Sequence, residues 1–166
     1  MIRLMSIAHF ATIFFITIQV ATAAWAGESA IKISAVTPYH DPTIIATNIV
    51  EECTQLGGKL AKFLNTYATK YGVETELVEN ADPSGGGRVL VVKITNAISG
   101  GNAFLGHRKS MSVKAELFKN GKSVEYVNFT RDSGGGFGGA YKGSCSVLGR
   151  CTKALGRDVA KWLSDL

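Results

Sequence analysis

A strand pattern on both sides of a single turn constrains the fold of this chain more than any other feature. Before the turn, polar residues alternate with four apolar ones, Met111, Val113, Ala115 and Leu117. Such a strand buries one face and leaves the other wet. Asn120-Gly121 follows, and both residues tolerate the positive φ of a tight hairpin turn. Val124 to Thr130 then returns as a second strand, so the sequence predicts an antiparallel hairpin.

Two amphipathic helices are predicted to cover the buried face. Apolar residues recur every three or four positions from Ile49 to Tyr71, and Gly72 predicts the end of that helix. A similar stripe from Leu148 to Leu166 closes the chain. Gly57-Gly58 weakens the first helix by ~1 kcal/mol per glycine relative to alanine, and we expect the pair to allow close packing on the sheet.

Three more strands complete the predicted order. They span Ala30–Val36, Val73–Val78 and Val89–Ile98, which makes the order β-α-β-β-β-β-α. The connections between the strands after the first helix are short, so we expect those strands to be antiparallel and the two helices to run antiparallel. The predicted fold is a two-layer α+β domain with a mostly antiparallel sheet of about five strands and two helices on one face.

The amino terminus is interpreted as a secretory signal peptide. Arg3 precedes an apolar run from Ile7 to Val20, and Ala24-Trp25-Ala26 is an A-x-A-type cleavage signal. The run is shorter than the roughly 20 apolar residues of a membrane span. The first cysteine lies far downstream, so no lipid anchor is expected. We expect residues 1–26 to be cleaved, leaving a periplasmic protein with one domain, residues 27–166, and no stable membrane span.

The charge is mildly basic. The formal net charge is +5, and removal of Arg3 leaves +4 in the mature chain. The lysines and arginines are interpreted as a solvated mixed surface, because they are scattered among acids. Attraction to anionic envelope polymers or lipids stays open, and nucleic acid is not an expected partner.

Three cysteines enter an oxidising compartment, so one of them cannot pair within the chain. We expect a Cys145–Cys151 disulfide, with Cys145 in the loop before the last helix folding back onto that helix. Cys53 is then a buried thiol, because antiparallel helices would begin at opposite ends of the sheet. Cys53–Cys151 is the alternative, since both residues lie on apolar stripes.

A glycine-rich segment, SGGGFGG, joins the last strand to the last helix. Gly134, Gly136 and Gly139 fit G-x-G-x-x-G, but no second strand follows to complete a dinucleotide-binding unit, and Gly-Lys-Ser/Thr at Walker spacing is absent. We interpret the segment as a strand-to-helix connection. Its amides, placed before a helix, leave anion binding as an alternative.

The predicted strand directions place this segment beside a second glycine-rich loop, residues 99–108. The two loops would emerge at one end of the sheet and form a candidate binding surface of Asn102, Phe104, His107, Phe137, Tyr141 and Lys142. His107, next to Arg108 and Lys109, is interpreted as an exposed loop base.

No catalytic, metal-binding or cofactor-binding residues are predicted. After cleavage only His40 and His107 remain as histidines, and neither has zinc-ligand spacing. A G-x-S-x-G elbow is absent, and the acids do not form a pair set for acid–base chemistry.

The later motifs resemble a bacterial envelope family. They are Gly101-Asn102-Ala103-Phe104, KAELFKNGKSVEYVNF, SGGGFGG and ALGRDVAKWL. The family that they resemble consists of glycine-rich periplasmic proteins and lipoproteins. Its function is unknown, and it is number forty-four ten among the domains of unknown function. The order of elements also resembles the amino-terminal domain of TolB. The resemblance implies an envelope location and this fold, and no catalytic residues.

The sequence therefore predicts a non-enzymatic periplasmic module that binds an envelope protein or another cell-envelope component. The contact would use the two glycine-rich end loops or an exposed sheet edge. The alternative is a protein that binds a small ligand or an anion through the loop amides, Lys142 and His107. The identity of the partner and the oligomeric state cannot be read from the sequence.

Overall fold

A computed structural model of the protein describes residues 29–100, 108–133 and 143–166. Its elements are β1 (Ile31–Ser34), α1 (Thr47–Glu52), α2 (Leu56–Lys70), β2 (Thr75–Val78), β3 (Arg88–Gly100), β4 (Arg108–Lys119), β5 (Lys122–Ser133) and α3 (Ser144–Ser164). A short 3-10 turn at Pro42–Ile44 precedes α1. One five-stranded sheet and a helical layer confirm the predicted α+β class.

The first predicted helix is divided into α1 and α2. Cys53 leaves the helical conformation at the end of α1, with φ −99° and ψ 41°. The apolar stripe continues across this break, so periodicity alone did not reveal it. Gly72, at φ +77°, follows the end of α2 as predicted.

The sheet is mixed, in the order β2-β1-β3-β4-β5. β1 pairs in parallel with both β2 and β3, whereas β3–β4 and β4–β5 are antiparallel. The prediction that β2 and β3 run antiparallel was therefore wrong. The connection 79–87 carries the chain from one side of β1 to the other, and the Ala81 amide donates to Ser34 Oγ at 3.0 Å.

This change of direction reorients everything after it. β3 runs parallel to β1, so β5 also runs parallel to β1 after two antiparallel steps. α2 follows β1 and α3 follows β5, and each helix runs back across the same face of the sheet. The two helices are therefore parallel, not antiparallel as predicted, and they begin at the same end of the sheet.

The hairpin prediction is confirmed. β4 and β5 pair from Lys119↔Lys122 to Lys109↔Ser133, and the turn residues Asn120 and Gly121 have φ of +51° and +80°. Among the described residues, no helix is long and apolar enough to cross a membrane.

The core lies between the sheet and the helices, with Leu60, Leu64, Ile94, Met111 and Leu155 all buried. Gly57 permits one close approach, because a Cβ there would lie 2.2 Å from the carbonyl oxygen of Thr37. Gly57 therefore packs closely on the connection that follows β1, and not on a strand as was expected, whereas Gly58 faces open space.

Candidate functional site

All six residues of the predicted binding surface lie outside the described residues: Asn102, Phe104, His107, Phe137, Tyr141 and Lys142. The strand ends beside them are described. Gly100 pairs with Arg108, and Lys109 pairs with Ser133. Both loops therefore lie at the same end of strands β3, β4 and β5, as expected. This prediction is correct although the direction of β2 relative to β3 was not, because it depends only on β3, β4 and β5 being antiparallel in turn.

Lys109, which follows the first of these loops at the start of β4, is buried at this end of the sheet, with 5% of its surface exposed. Its ammonium donates to Ser99 Oγ and, at 3.3 Å, to Ser144 Oγ, and the two hydroxyls lie 2.7 Å apart. Lys109 faces the core because it lies two residues before Met111 on the buried face of β4. The cluster links β3, β4 and the first turn of α3.

The predicted Cys145–Cys151 disulfide is wrong. Cys53 is bonded to Cys145, with 5.2 Å between their Cα atoms, and Cys151 is a free, buried thiol. The physical reason is the parallel orientation of the helices. Cys53 precedes α2 and Cys145 begins α3, so the two residues meet at the same end of the sheet. Burial, aided by Asp132, raises the pKa of the Cys151 thiol, which keeps it protonated and unreactive.

Charge is strongly segregated in the helical layer. α2 and α3 carry seven basic residues and one acid, so their formal charge is +6. The whole chain is +5, so everything outside these two helices sums to −1. The single acid, Asp158, accepts from Arg131 Nε of β5 at 2.5 Å. The basic residues are Lys59, Lys62, Lys70, Arg150, Lys153, Arg157 and Lys161.

Helical periodicity explains why the basic side chains of α3 lie together on one face of the helix. The buried face of α3 includes Leu148, Leu155 and Val159, and the basic residues recur on the opposite face, about one per turn. The prediction of a mixed solvated surface was wrong for this layer, because it counted charges along the whole chain. The signal was present in the sequence, since α2 contains no acidic residue.

A groove runs between α2 and α3 on their outer side. One hollow of about 560 Å³ is lined by Lys59, Phe63, Cys145, Ser146, Gly149 and Arg150. A second, of about 160 Å³, is lined by Tyr67, Arg150, Lys153, Ala154 and Arg157. Arg150 lines both hollows, so they lie next to each other along α3. We call Lys59, Phe63, Tyr67, Arg150, Lys153 and Arg157 the basic groove.

The opposite face of the sheet holds a cavity of about 210 Å³. We call it the open-face cavity, and it is lined by His40, Pro83, Val91, Lys93, Thr95, Lys114, Glu116 and Phe118. A hydrogen bond from Ser123, then one from Lys114, holds the pKa of Glu116 below its usual value. No cluster of three or more metal-ligating side chains occurs within the described parts of the chain.

No protein-family model matches the chain, and no curated relative does. The envelope-family resemblance therefore stays a prediction.

Several solved structures are similar. The PelC dodecamer of Paraburkholderia phytofirmans is 14% identical, with a TM-score of 0.48 over 77% of this chain and 86% of that one. A minor lipoprotein of Acinetobacter baumannii is 14% identical, with a TM-score of 0.45 over 81% and 92%. A homolog of neuraminyllactose-binding hemagglutinin from Helicobacter pylori is 8% identical, with a TM-score of 0.49 over 84% and 82%. At these identities nothing about activity or partners carries over.

Proposed function

We propose that the mature chain is a non-catalytic binding module of the bacterial cell envelope, which holds a linear acidic glycan in the basic groove. The observation that carries the proposal is the formal charge of +6 on α2 and α3, beside +4 − 6 = −2 on the rest of the mature chain. A partner recognised by such a face is polyanionic.

The shape of the groove favours a linear polymer. Basic residues recur about once per turn along α3, which is a spacing of roughly 5.4 Å. That spacing is close to the length of one sugar ring in an extended glycan. Phe63 and Tyr67 line the same groove, and their partly exposed rings offer flat apolar surfaces to sugar rings. Lys70 lies over the Tyr67 ring at 5.3 Å from its centroid and places further positive charge beside it.

An anionic membrane is a poorer fit. A protein helix that binds at a membrane surface inserts protruding apolar side chains. Among the described residues, the large exposed apolar side chains lie outside the basic groove: Val36, Ile44, Tyr71, Leu77, Ile98, Val124, Tyr126 and Leu166. Phe63 and Tyr67 are only partly exposed, and Phe63 Cβ lies against Gly156 of α3.

The test measures binding of a fluorescent oligogalacturonate by anisotropy. The double variant Lys59→Gln/Lys153→Gln removes two charges from the groove, and Lys32→Gln/Lys122→Gln removes two from strands of the sheet. We expect the groove variant to weaken binding at least tenfold and the control to change it less than twofold. Binding should weaken as salt rises, because the charges are exposed.

Three results would count against the proposal. Equal losses in both double variants would show that net charge, not the groove, attracts the probe. Tighter binding to phosphatidylglycerol vesicles or to single-stranded DNA than to oligogalacturonate would assign another partner. An absence of binding to every polyanion would remove the function altogether.

A second candidate function is strand addition at β5, which favours an envelope protein as partner. β5 is a 12-residue strand at the edge of the sheet, and Val124 and Tyr126 on it are 49% and 64% exposed. Such edges pair readily with another strand. A photo-crosslinking residue at Tyr126 should capture one envelope protein in cells, whereas the same residue at Lys32 should not; equal capture at both positions would sink this function.

A further inference from the structure

The open-face cavity is built from well-anchored parts. β3 contributes Val91, Lys93 and Thr95, and β4 contributes Lys114, Glu116 and Phe118. One wall comes from the connection that follows β1 and carries His40. The other comes from the connection 79–87 between β2 and β3, which carries Pro83. His40 is fixed by its amide, which donates to the carbonyl oxygen of Ile94 at 2.8 Å.

The second wall, at Pro83, is equally fixed. Ser84 donates through its amide and its hydroxyl to Asp82 Oδ1, at 2.9 and 2.7 Å. The same connection is tied to the β4–β5 turn, because the Gly87 amide donates to Asn120 Oδ1 and the Asn120 amide donates to the Gly87 carbonyl. The cavity is therefore preformed, as ligand sites usually are.

The charges in the cavity do not cancel. Glu116 is already occupied, because its carboxylate lies 2.9 Å from the Lys114 ammonium and accepts from Ser123 Oγ at 2.6 Å. Lys93 is half-buried, and among the described residues it is attracted to Glu116 only at longer range, without a hydrogen bond. The charge left to a ligand is thus a single positive one.

The remaining lining is apolar, from Val91, Phe118 and Pro83. A volume of about 210 Å³ equals that of roughly seven water molecules at ~30 Å³ each. This space fits one phenyl or branched alkyl group with a short acid chain.

We propose that the open-face cavity binds a small monocarboxylic acid with an apolar body, its carboxylate on the Lys93 ammonium and its body against Val91, Phe118 and Pro83. Burial of the body supplies affinity, and the ammonium selects the acid over a neutral analogue, because a half-buried charge is attracted more strongly than one in open water. The site lies on the opposite face of the sheet from the basic groove, so it is independent of glycan binding.

The experiment titrates the mature protein with 3-phenylpropionate, 3-phenylpropanol and 3-phenylpropylamine, with calorimetry for affinity and amide chemical shifts for location. We expect the acid to bind at least tenfold more tightly than the alcohol and the amine, with shifts centred on Val91, Thr95 and Phe118. Lys93→Met, which keeps the length of the side chain, should lose at least tenfold. Lys32→Met, on the same face of neighbouring β1, should bind as the unchanged protein does.

Equal affinity for acid and alcohol would overturn the carboxylate class, and unchanged affinity in Lys93→Met would overturn the role of Lys93. Shifts centred elsewhere, or no saturable binding up to about 10 mM, would remove the site. A circular dichroism melt of each variant checks that it is folded. None of these outcomes bears on the oligogalacturonate measurement, whose test residues, Lys59 and Lys153, lie in the helical layer on the other face of the sheet.

Discussion

Gly156 of α3 lies directly against Leu64 of α2, so closely that a Cβ on Gly156 would be 2.8 Å from the Leu64 nitrogen and 2.9 Å from Phe63 Cβ. The backbone of α2 cannot yield without moving the core side chains that it carries. Gly156→Ala should therefore lower the free energy of unfolding by about 1–3 kcal/mol, measured by urea denaturation.

Gly149 provides the matched control, because it lies in the same helix with nothing within 4 Å of its Cβ position. Gly149→Ala should raise stability by about 0.5–1 kcal/mol through helix propensity alone. Destabilisation of equal size at both positions would contradict the close helix contact.

The disulfide between Cys53 and Cys145 spans a sequence separation of 92 residues. Its replacement in Cys53→Ala/Cys145→Ala should cost about 2–5 kcal/mol, because the unfolded chain regains freedom. A non-reducing peptide map should link the peptides of Cys53 and Cys145, and Cys151 should react with iodoacetamide only after unfolding. A peptide that links Cys145 to Cys151 would contradict the pairing.

Glu116 should make stability depend on pH on the acid side. Its pKa is lowered, first by the Ser123 hydroxyl and then by Lys114, so the folded state favours the carboxylate. The stabilisation is present above the ordinary pKa of glutamate and is lost as pH falls through the lowered value. Between about pH 7 and pH 3, the unchanged protein should therefore lose more stability than Glu116→Gln does.

Ser123→Ala separates the two causes. In an NMR titration Ser123→Ala should raise the pKa of Glu116 even though Lys114 is unchanged, because the serine hydrogen bond is the largest single cause of the lowered pKa. A pKa that moves only when Lys114 is changed would assign the effect to charge alone.

Replacement of Asp158 should change stability and glycan binding in opposite directions. It is the one acid in α2 and α3, its side chain is 10% exposed, and it pairs with Arg131 across the α3–β5 contact. Asp158→Asn should lower stability by up to about 1 kcal/mol and strengthen oligogalacturonate binding, because the helical layer becomes more positive. Asp165→Asn, which removes an exposed partner of Lys161, is the control and should leave stability within about 0.5 kcal/mol. If Asp158→Asn raised both stability and affinity for oligogalacturonate, or lowered both, this prediction would be contradicted.

Local patterns predicted the elements well, because alternation, helical periodicity and turn residues act over a few positions. The β4–β5 hairpin at Asn120-Gly121 and the end of α2 at Gly72 are examples. The placement of β2 and β3 on opposite sides of β1 was not predictable, because the connection 79–87 is compatible with either side. That single error reversed the helix directions and, through them, the cysteine pairing.

The candidate sites depend on the same long-range information. The basic residues of α3 were visible as a periodic stripe, but they become one side of a groove only when α2 is known to lie parallel beside it. The walls of the open-face cavity come from irregular connections at His40 and Pro83, whose paths no sequence period specifies. The predicted surface on the two glycine-rich loops stays a prediction.

The bond between Cys53 and Cys145 also has a topological consequence. It closes the backbone between them into a covalent ring that contains α2 and the four strands from β2 to β5. A single cut by a protease anywhere between residues 54 and 144 therefore opens the ring without separating the chain into two pieces. One nick would therefore leave both helices of the basic groove on the same molecule.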